Sequence, residues 1–324
     1  RLCQLTFFKI MGFFTSIEEL GRSTDQPVYL ALGMFDGVHR GHQAVLRSAQ
    51  NSARKKGGVA IAFTFPEHPA SYLRPEQSPR LLMNKDEKAR RLLDAGMEGV
   101  VLRNFDREFA EVQARHFPSF LVARIRSLEG MCVGENFRFG KGRCGNSDDL
   151  KKLGMEIGLS VEVVGSKLLS GIPVSSSRIR KALHLGKMNE VNELLGWKYL
   201  VSGLVITGKG MGKEFGFPTI NIQWNPQARP AYGVYLGRAK CASSGEEKYA
   251  VANYGLRPTV EEGMTEPLLE AHILDPIDSG FGSAGKYFTM TLEAFLRPEK
   301  KFKSVEDLKT QIGHDLAEAK KLRI

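Results

Sequence analysis

Residues 33–42 read Gly33-Met34-Phe35-Asp36-Gly37-Val38-His39-Arg40-Gly41-His42, and the fold of the first half of the chain follows from them. They come directly after Val28–Leu32, a short apolar run that predicts a buried strand, and a helical stretch follows from His42 to Ala53. Open α/β sheets bind ligands at the carboxyl ends of their strands, and helix N-termini favour phosphate groups. The order of strand, glycine-rich turn and helix therefore predicts a phosphate-binding turn.

Two histidines in this turn are the first candidate functional residues. His39 and His42 are three residues apart, so both rings can face one side of the first helical turn. Gly41 leaves room for a phosphate group to approach the backbone. The arrangement suits stabilisation of charge on a nucleotide phosphate during in-line displacement, without a covalent intermediate. Without this context, an ordinary surface pair of histidines would be the default interpretation.

The rest of the first half alternates between strand-like and helix-like segments. The predicted strands after the first are Val59–Phe65, Gly99–Leu102, Gly130–Gly134 and Ser160–Val164. The predicted helices between them are Lys85–Ala95, Phe117–Leu128 and Leu150–Ile157. Strands that alternate with helices predict a Rossmann-like α/β domain, with a parallel sheet covered on both faces.

The second half has a different pattern. Its strand-like segments are separated by Gly, Pro and Asn turns, without long helices between them: Val201–Ile206, Tyr232–Leu236, Tyr249–Ala252, Leu268–Leu274 and Tyr287–Leu292. One helix, Val305–Leu322, ends the chain. This pattern predicts a small antiparallel β-barrel or sandwich with a terminal helix. We place the boundary between about Leu185 and Lys198, which gives domains at 11–186 and 198–324.

A second glycine-rich stretch, Gly208–Asn221, follows the first strand of this barrel. Its glycines let a loop fold over phosphates, and Lys209 and Lys213 supply positive charge. Thr219 and Asn221 are two residues apart on an extended segment, so their oxygens point to one face and suit Mg²⁺. The stretch lacks the G-K-[ST] ending of a Walker A loop. A glycine-rich hairpin without a ligand is the alternative interpretation.

A serine-rich segment near the end of the first half is the third candidate site. Ser175, Ser176 and Ser177 stand next to a predicted helix start, where hydroxyl groups can donate to phosphates, and Arg180 can neutralise charge. An ordinary helix N-cap needs only one serine, and it remains the alternative.

The composition is that of a globular protein, with 42% hydrophobic and 25% charged residues among 324, which excludes disorder, collagen and coiled coil. Lys and Arg number 46 against 36 Asp and Glu, so the net charge is +10. A positive balance fits nucleic acid, a membrane surface or small phosphorylated substrates. The basic residues are spread along the chain, which favours a solvated basic surface over a nucleic-acid-binding patch.

The four cysteines show no C-x-x-C spacing and have no histidine near them in sequence, so we expect no zinc site, no disulfide framework and a reducing compartment. No apolar run approaches the ~18 residues of a membrane span, and we expect a cytoplasmic protein. The apolar opening Arg1–Ile10 is interrupted by Lys9 and is not interpreted as a signal peptide. We expect either that Met11 lies near the natural start or that the segment is an upstream artefact.

These motifs resemble those of a known family. Residues 33–42 are similar to the opening motif of the FMN adenylyltransferase module of bacterial bifunctional riboflavin kinase/FMN adenylyltransferases, the FAD synthetases. Phe63–Pro69 and Val133–Gly140 look like its internal motifs. Ser175–Arg180 looks like its Ser-Ser-Thr-x-x-Arg motif, with Ser177 in the place of threonine.

This resemblance implies roles for residues of the first half. His39 and His42 would bind and polarise the ATP phosphates while the FMN phosphate attacks the α-phosphate and pyrophosphate leaves. Arg180 would assist catalysis. The implied nucleotide- and flavin-binding residues are Gly33, Phe35, Asp36, Gly41, Asn136, Ser175, Ser176 and Ser177.

The resemblance extends to the riboflavin kinase module of the same family. Gly216–Asn221 is similar to the kinase signature, in which threonine and asparagine coordinate the magnesium of ATP, here Thr219 and Asn221. Leu269–Asp275 is similar to the segment with the catalytic base. That implies that Glu270 takes the proton from the riboflavin 5′-hydroxyl as it attacks the γ-phosphate. The other implied binding residues are Gly208, Gly210, Lys213, Gly216, Pro218 and Asn253.

One departure concerns the kinase half, where Ser279-Gly280-Phe281-Gly282 replaces the family's Asp-Leu-Tyr-Gly. An FMN adenylyltransferase with an impaired kinase is therefore an alternative function. Two more hypotheses are a basic nucleic-acid-binding protein on a nucleotidyltransferase-like fold and a relative of class I aminoacyl-tRNA synthetases. The expected partners are riboflavin, FMN and ATP with Mg²⁺, without nucleic acid or membrane, and the oligomeric state stays open.

Overall fold

The computed structural model describes residues 12–208, 211–241, 245–258, 265–275 and 281–322. Contacts divide the chain into two compact units, the first ending at Ser176 and the second beginning at Ser177. The predicted roles of Gly210, of Ser279 and of the Lys213 side chain lie outside the described residues. The domain limits of 11–186 and 198–324 stay a prediction.

The first unit is built on a six-stranded parallel sheet with the order β1-β4-β3-β2-β5-β8. This confirms the predicted parallel α/β architecture. Two further pairs of very short strands, β6 with β7 and β9 with β10, are antiparallel. The strands of this unit are β1 (Gly12–Phe14), β2 (Val28–Leu32), β3 (Val59–Thr64), β4 (Gly99–Leu102), β5 (Leu128–Gly134), β6 (Arg138–Phe139), β7 (Gly145–Asn146), β8 (Ser160–Val164), β9 (Leu168–Leu169) and β10 (Ile172–Pro173).

The central strands β2 and β3 are buried along their whole length, as expected when helices cover both faces of a parallel sheet. Their apolar side chains form the core with the helices that connect the strands. Side-chain caps fix several helix starts, including Asn84, which accepts from the backbone N–H of Glu87. The helices are α1 (Ile17–Ser23), α2 (Arg40–Lys56), α3 (Pro69–Leu73), α4 (Lys85–Asp94), α5 (Arg107–Glu111), α6 (Phe117–Val122) and α7 (Ser147–Glu156).

The predicted helix Phe117–Leu128 is wrong in its second half. Helix α6 ends at Val122, and Leu128 is already the first residue of β5, where it pairs with Val28. The backbone N–H of Leu128 donates to the carbonyl of Ile125 in the turn between the two elements. Leu121 and Ile125 are both buried, so the apolar spacing of a helix continues past the point where the backbone stops being helical.

The second unit is a closed antiparallel barrel. Strands β13, β14, β15, β12, β11 and β16 pair in this order and β16 returns to β13, while β17 pairs with β13 as a seventh strand. Because β16 pairs with β13, the sheet closes on itself, and the unit is therefore a barrel and not a sandwich. The strands are β11 (Tyr199–Ile206), β12 (Thr219–Gln223), β13 (Gly233–Cys241), β14 (Glu247–Pro258), β15 (Thr265–Ile273), β16 (Tyr287–Leu292) and β17 (Ala294–Pro298).

Within the described ranges, four more helices follow α7. Helix α8 begins at Ser176, at the division between the units. In the second unit the side chain of Asn192 on α9 accepts from the backbone N–H of Tyr199 and donates to the carbonyl of Leu292, which ties α9 to the barrel. The terminal helix was predicted at Val305–Leu322 and is one residue shorter. The helices are α8 (Ser176–His184), α9 (Met188–Leu195), α10 (Met211–Glu214) and α11 (Val305–Lys321).

The barrel closes where β13 passes very close to β16. A Cβ atom on Gly237 would overlap the carbonyl oxygen of Thr291, so only glycine fits at this position. The hydroxyl of Thr291 accepts from the backbone N–H of Arg238, next to this approach. The seam between β13 and β16 therefore depends on a residue without a side chain.

We expect Gly237→Ala to destabilise the second unit by about 2 kcal/mol or more, because the methyl group forces the two strands apart. Both tryptophans of the chain, Trp197 and Trp224, lie in this unit, so the midpoint of unfolding followed by tryptophan fluorescence reports on it. Gly313→Ala is the matched control. Gly313 lies on α11 with open space around a new methyl group, and the change should stabilise the helix by about 0.5–1 kcal/mol. Equal midpoints for the two variants would contradict the argument.

Candidate active sites

The turn between β2 and α2 has an unusual backbone. Phe35 and Val38 have φ values of 48° and 37°, and Gly37 has a φ of 88°. Residues with a side chain rarely adopt such values, least of all β-branched ones such as valine. Strained conformations of this kind cluster at functional sites, where the surrounding structure holds them. The turn formed in this way places His39 at the N-cap of α2.

The two histidines form a stacked pair at this helix start. Their ring centroids are 3.6 Å apart with an interplanar angle of 16°. Nδ1 of His39 accepts from the backbone N–H of His42 at 3.3 Å, so His39 caps the helix with its own side chain. Nδ1 of His42 is buried and has no hydrogen-bond partner among the described residues. Burial, and then the neighbouring His39 and Lys88, lower the pKa of His42 well below its ordinary value, which favours the neutral imidazole.

Glycine and phenylalanine in the turn pack against these rings. A Cβ on Gly41 would lie 3.1 Å from the His39 ring, and a Cβ on Gly33 would lie 3.0 Å from the Phe35 ring. Phe35 meets His42 edge-on with a centroid distance of 5.3 Å. The structure therefore brings Gly33, Phe35, Gly41 and both histidines together.

Asp36 is among the residues expected to bind nucleotide, but its side chain is not exposed to a ligand. Its side chain is buried, and Oδ1 accepts from the backbone N–H of Leu82 at 2.8 Å. Its carbonyl oxygen accepts from the hydroxyl of Ser176 at 2.9 Å. Asp36 thus holds the turn to the segment before α4 and to the serine-rich segment.

The serine-rich segment lies at the start of α8. Ser175 and Ser176 belong to the first unit, and Ser177 and Arg180 belong to the second. Nη1 of Arg180 donates to the Ser177 hydroxyl at 3.5 Å. Arg178 forms an ion pair with Glu190 of α9 at 2.9 Å. Arg178 therefore joins two helices of the second unit.

A large cavity in the first unit was missed by the sequence analysis. It has a volume of about 990 Å³, and Gly33 and Asn136 are the predicted residues that line it. Seven phenylalanines line it: Phe63, Phe65, Phe105, Phe109, Phe117, Phe137 and Phe139. Basic side chains also line it: Arg74, Arg138, Lys141 and Arg143. An aromatic wall with nearby positive charge suits a flat ring system that bears an anionic group.

The sequence carried a signal for this cavity. The motifs around Phe63 and Phe137 each hold two phenylalanines two residues apart, and the chain has 19 phenylalanines in all. Their convergence depends on tertiary structure. Asn136 is exposed, and its amide Nδ2 donates to the hydroxyl of Ser166 at 3.4 Å.

In the second unit, strand register aligns three polar residues. Glu270 on β15 is paired with Asn221 on β12 and with Asn253 on β14. Directly paired residues of neighbouring strands point to the same face of a sheet. All three line a second cavity of about 430 Å³. We call this set the Asn-Glu-Asn row.

The glycine-rich loop packs on the same residues. A Cβ on Gly208 would overlap the side-chain amide of Asn221, and a Cβ on Gly212 would lie 3.1 Å from Oγ1 of Thr219. Gly216 has a φ of 87°. The carbonyl of Pro218 accepts from Nδ1 of His272 at 2.8 Å, which fixes the start of β12. Thr219, which is exposed and lines the cavity, follows at once.

Apolar residues form another part of the wall of this cavity. Leu308, Ile312 and Leu316 recur every four residues along α11 and therefore share one face of the helix. Aromatic residues Phe215, Phe217 and Phe302 line the same cavity. The cavity thus combines an apolar wall with the Asn-Glu-Asn row.

An ion pair holds α11 against the barrel. Arg297 on β17 donates to both carboxylate oxygens of Asp315, with Nε to Oδ1 at 2.8 Å and Nη2 to Oδ2 at 2.8 Å. Gln311 donates to Oδ1 at 3.0 Å. The Asp315 side chain is 5% exposed and the Arg297 side chain is 20% exposed, so solvent screens this pair weakly.

We expect Asp315→Ala to destabilise the second unit by about 3 kcal/mol, because it leaves the Arg297 guanidinium without its partner in a largely buried place. The control is Glu247→Ala, which removes an ion pair with Lys240 at 3.7 Å whose side chains are about half exposed. That change should cost less than about 1 kcal/mol. Denaturant unfolding followed by tryptophan fluorescence measures both. A similar cost for the two variants would contradict the tethering role of Asp315.

The described parts of the chain hold no group of three or more His, Cys, Asp and Glu side chains arranged to bind a metal ion. Among those same residues, no helix is both long enough and apolar enough to cross a membrane. Cys132 and Cys144 are free thiols.

Comparisons with known proteins agree with the two-unit organisation. The family model for FAD synthetase matches residues 21–178, and the model for riboflavin kinase matches residues 195–323. A bifunctional riboflavin kinase/FMN adenylyltransferase of Escherichia coli K12 is 34% identical over 94% of this chain and 96% of its own length. One from Haemophilus influenzae is 35% identical over 90% of this chain and 92% of its own length.

A solved structure shares the fold. The crystal structure of a protein described as a macrolide-efflux protein from Streptococcus pneumoniae superposes with a TM-score of 0.85 and 26% identity, over 97% of this chain and 100% of the other. The two family models match in the predicted order and together span most of the described residues, which confirms the expected relationship. The chain therefore belongs to the family of bifunctional riboflavin kinase/FMN adenylyltransferases.

Proposed function

We propose that the second unit phosphorylates riboflavin to FMN and that the first unit adenylylates FMN to FAD, with ATP as the donor in both reactions. The observation that carries the kinase assignment is the Asn-Glu-Asn row in its cavity. For the adenylyltransferase it is the stacked pair of His39 and His42 at the start of α2. Family membership supports the same division of labour between the units.

In the first unit, the ATP phosphates bind at the N-terminus of α2, where backbone N–H groups and the helix dipole favour negative charge. An oxygen of the FMN phosphate attacks the α-phosphorus, the new P–O bond forms, and the bond to the leaving pyrophosphate breaks. His39 and His42 donate hydrogen bonds to the phosphate oxygens as charge shifts to the leaving group. Ser175 and Ser176 of this unit bind phosphate oxygens through their hydroxyls. The phosphate-binding role of Ser177 and the charge-neutralising role of Arg180 stay predictions.

FMN occupies the aromatic cavity of the first unit. The flat isoalloxazine ring contacts the phenylalanine wall, and the basic side chains at the cavity attract its phosphate group. Asn136 contributes a hydrogen-bonding amide at the same cavity.

In the second unit, Glu270 accepts the proton of the riboflavin 5′-hydroxyl as that oxygen attacks the γ-phosphorus of ATP, and ADP leaves. The isoalloxazine ring packs on the apolar face of α11. The glycine-rich loop with Gly208, Gly210, Gly216 and Pro218 covers the phosphates, and Lys213 supplies charge. Asn253 hydrogen-bonds a polar group of the substrate from the far side of Glu270.

Magnesium fits the donor set beside the Asn-Glu-Asn row. The Thr219 hydroxyl and the Asn221 side-chain amide are hard oxygen donors, and Asn221 is buried against the glycine-rich loop. Mg²⁺ commonly takes one or two protein ligands together with substrate phosphates and waters. When bound, it neutralises charge on the ATP phosphates.

The domain limits of 11–186 and 198–324 belong to this proposal, since each range then carries one complete reaction. The substrates riboflavin, FMN and ATP are small molecules, and no nucleic acid or membrane takes part. The use of ATP supports a cytoplasmic location.

A second candidate is an adenylyltransferase with an impaired kinase, which the replacement at Ser279–Gly282 favours. Phe281 meets Phe288 of the barrel edge-on at 5.9 Å, so its ring has a packing role without a hydroxyl. Incubation with riboflavin, ATP and Mg²⁺, followed by flavin chromatography, separates the two candidates. Both FMN and FAD support the bifunctional enzyme, whereas FAD only from supplied FMN supports the second candidate.

We expect His42→Ala to lower kcat for FAD formation from FMN by about 10²–10³-fold, because a donor to the reacting phosphates is lost. FMN formation from riboflavin should stay unchanged, since the kinase lies in the other unit. The control is His116→Ala, an exposed histidine of the same unit, which should have wild-type activity in both reactions. Equal loss of both activities in His42→Ala would refute the division of labour.

We expect Glu270→Gln to lower FMN formation by about 10²–10⁴-fold, because glutamine cannot accept the proton of the 5′-hydroxyl. FAD formation from supplied FMN should persist. Glu247→Gln, on the exposed surface of the barrel, is the matched control and should keep both activities. Undiminished riboflavin phosphorylation in Glu270→Gln would remove Glu270 as the base.

A further inference from the structure

Lys88 is a buried lysine that none of the predicted roles uses. No part of this residue on α4 is exposed. Its Nζ donates to the carbonyl oxygen of Phe65 at 2.6 Å. This is the one hydrogen bond of the ammonium group among the described residues. An ammonium group can donate three, so Lys88 has unused donors in a place that solvent does not reach.

A buried ammonium group is costly to the fold. Removal of such a charge from water costs several kcal/mol unless partners compensate it. Burial lowers the pKa of Lys88 to about 8, against the opposing effect of the Asp36 carboxylate, so at neutral pH the charged form is retained at a cost. The other buried residues of α4 are Ala89 and Leu92, which are apolar and carry no such penalty. A lysine at this position therefore needs a reason beyond packing.

The surroundings of Lys88 connect both parts of the adenylyltransferase site. Phe65 follows β3 and lines the aromatic cavity. Its ring contacts Phe63, Phe105 and Phe109 edge-on at 5.5 to 5.7 Å, so it stands at the centre of the aromatic wall. On the other side, the charge of Lys88 acts on Asp36 in the strained turn and on His42.

We propose that Lys88 is a positioning residue of adenylyl transfer, which holds the Phe65 wall of the FMN cavity through its buried hydrogen bond. This inference rests on the proposed placement of adenylyl transfer at the histidine pair. Because Lys88 is fully buried, it acts through Phe65, Asp36 and His42 and touches no substrate.

The ammonium group has two effects, one through its hydrogen bond and one through its charge. The hydrogen bond fixes the Phe65 carbonyl, and small displacements of a substrate wall cost catalytic rate even at a distance from the reacting atoms. The positive charge disfavours a proton on His42, in addition to burial and His39. Glu87 also lies near Asp36, and burial raises the pKa of Glu87 to about 7.

The test compares Lys88→Met with Lys85→Met in the full chain. Methionine keeps the length and apolar stem of lysine but removes both the charge and the hydrogen bond. Lys85 lies three residues away on the same helix and is exposed, so its substitution controls for loss of one positive charge. The measurements are kcat and KM for FAD formation from FMN as a function of pH, with FMN formation from riboflavin as the internal control for enzyme concentration.

We expect Lys88→Met to lower kcat for FAD formation by about 10- to 100-fold and to raise KM for FMN. The limb of the pH–rate profile that reports His42 should move to higher pH, because removal of a positive neighbour raises a histidine pKa. Kinase activity should match wild type, and Lys85→Met should match wild type in every measurement. An unchanged KM and an unchanged pH profile in Lys88→Met would overturn the proposal.

Lys88→Gln keeps the test decisive if the methionine variant does not fold. Glutamine retains a donor for the Phe65 carbonyl but carries no charge. The pH profile should therefore move as in Lys88→Met, while KM for FMN returns towards the wild-type value. A wild-type pH profile in Lys88→Gln would overturn the role of the charge. Failure of the wild-type chain to form FAD from FMN would instead reject the adenylyltransferase assignment itself, before any variant is compared.

Discussion

The first unit depends on one backbone constraint, the reversal of the chain between β2 and α2. A fully buried strand ends at Leu32 and a helix begins at Arg40, with seven residues between them. Left-handed φ values at Phe35 and Val38 cost on the order of 1–3 kcal/mol each. Hydrogen bonds around the turn offset this strain: Thr64 Oγ1 to the carbonyl of Met34 at 2.9 Å, Gln43 Nε2 to the carbonyl of Val38 at 2.9 Å, and Leu82 N–H to Asp36 Oδ1 at 2.8 Å. The result is a helix N-terminus whose cap is itself a histidine.

The second unit depends on strand register in a comparable way. Side chains alternate between the two faces of a strand, so a slip of one residue would turn Glu270 away from the cavity and break its alignment with Asn221 and Asn253. Closure of the barrel removes the free edges that would permit such a slip. The close approach at Gly237 is therefore connected to the site, although it lies on another pair of strands.

The sequence predicts local structure and local motifs well, and tertiary convergence poorly. Val28–Leu32 and Ser160–Val164 have the predicted bounds, since each is a short run bounded by turn residues. Strand β14 extends to Glu247–Pro258, well beyond the predicted Tyr249–Ala252, because long barrel strands carry polar residues that hydrophobicity does not detect. The histidine pair followed from spacing on one helix. The aromatic cavity did not, because its phenylalanines come from segments far apart in sequence. Lys88 lies between charged neighbours, from Lys85 to Arg91, and such a sequence predicts an exposed side chain.

Each unit has a buried aspartate, Asp36 in the first and Asp315 in the second, and the two have different partners. The partners determine what each carboxylate does. Asp315 lies in a two-pronged ion pair with Arg297, so its charge is matched and its effect is to hold α11 over a cavity. Asp36 accepts from a backbone N–H and lies near enough to the ammonium of Lys88 for the two charges to act on each other. A carboxylate in that position fixes the geometry of the turn and acts on the charge of its neighbours. The nucleotide-binding role predicted for Asp36 is therefore an indirect one, because its side chain is buried and bonded to the backbone of Leu82.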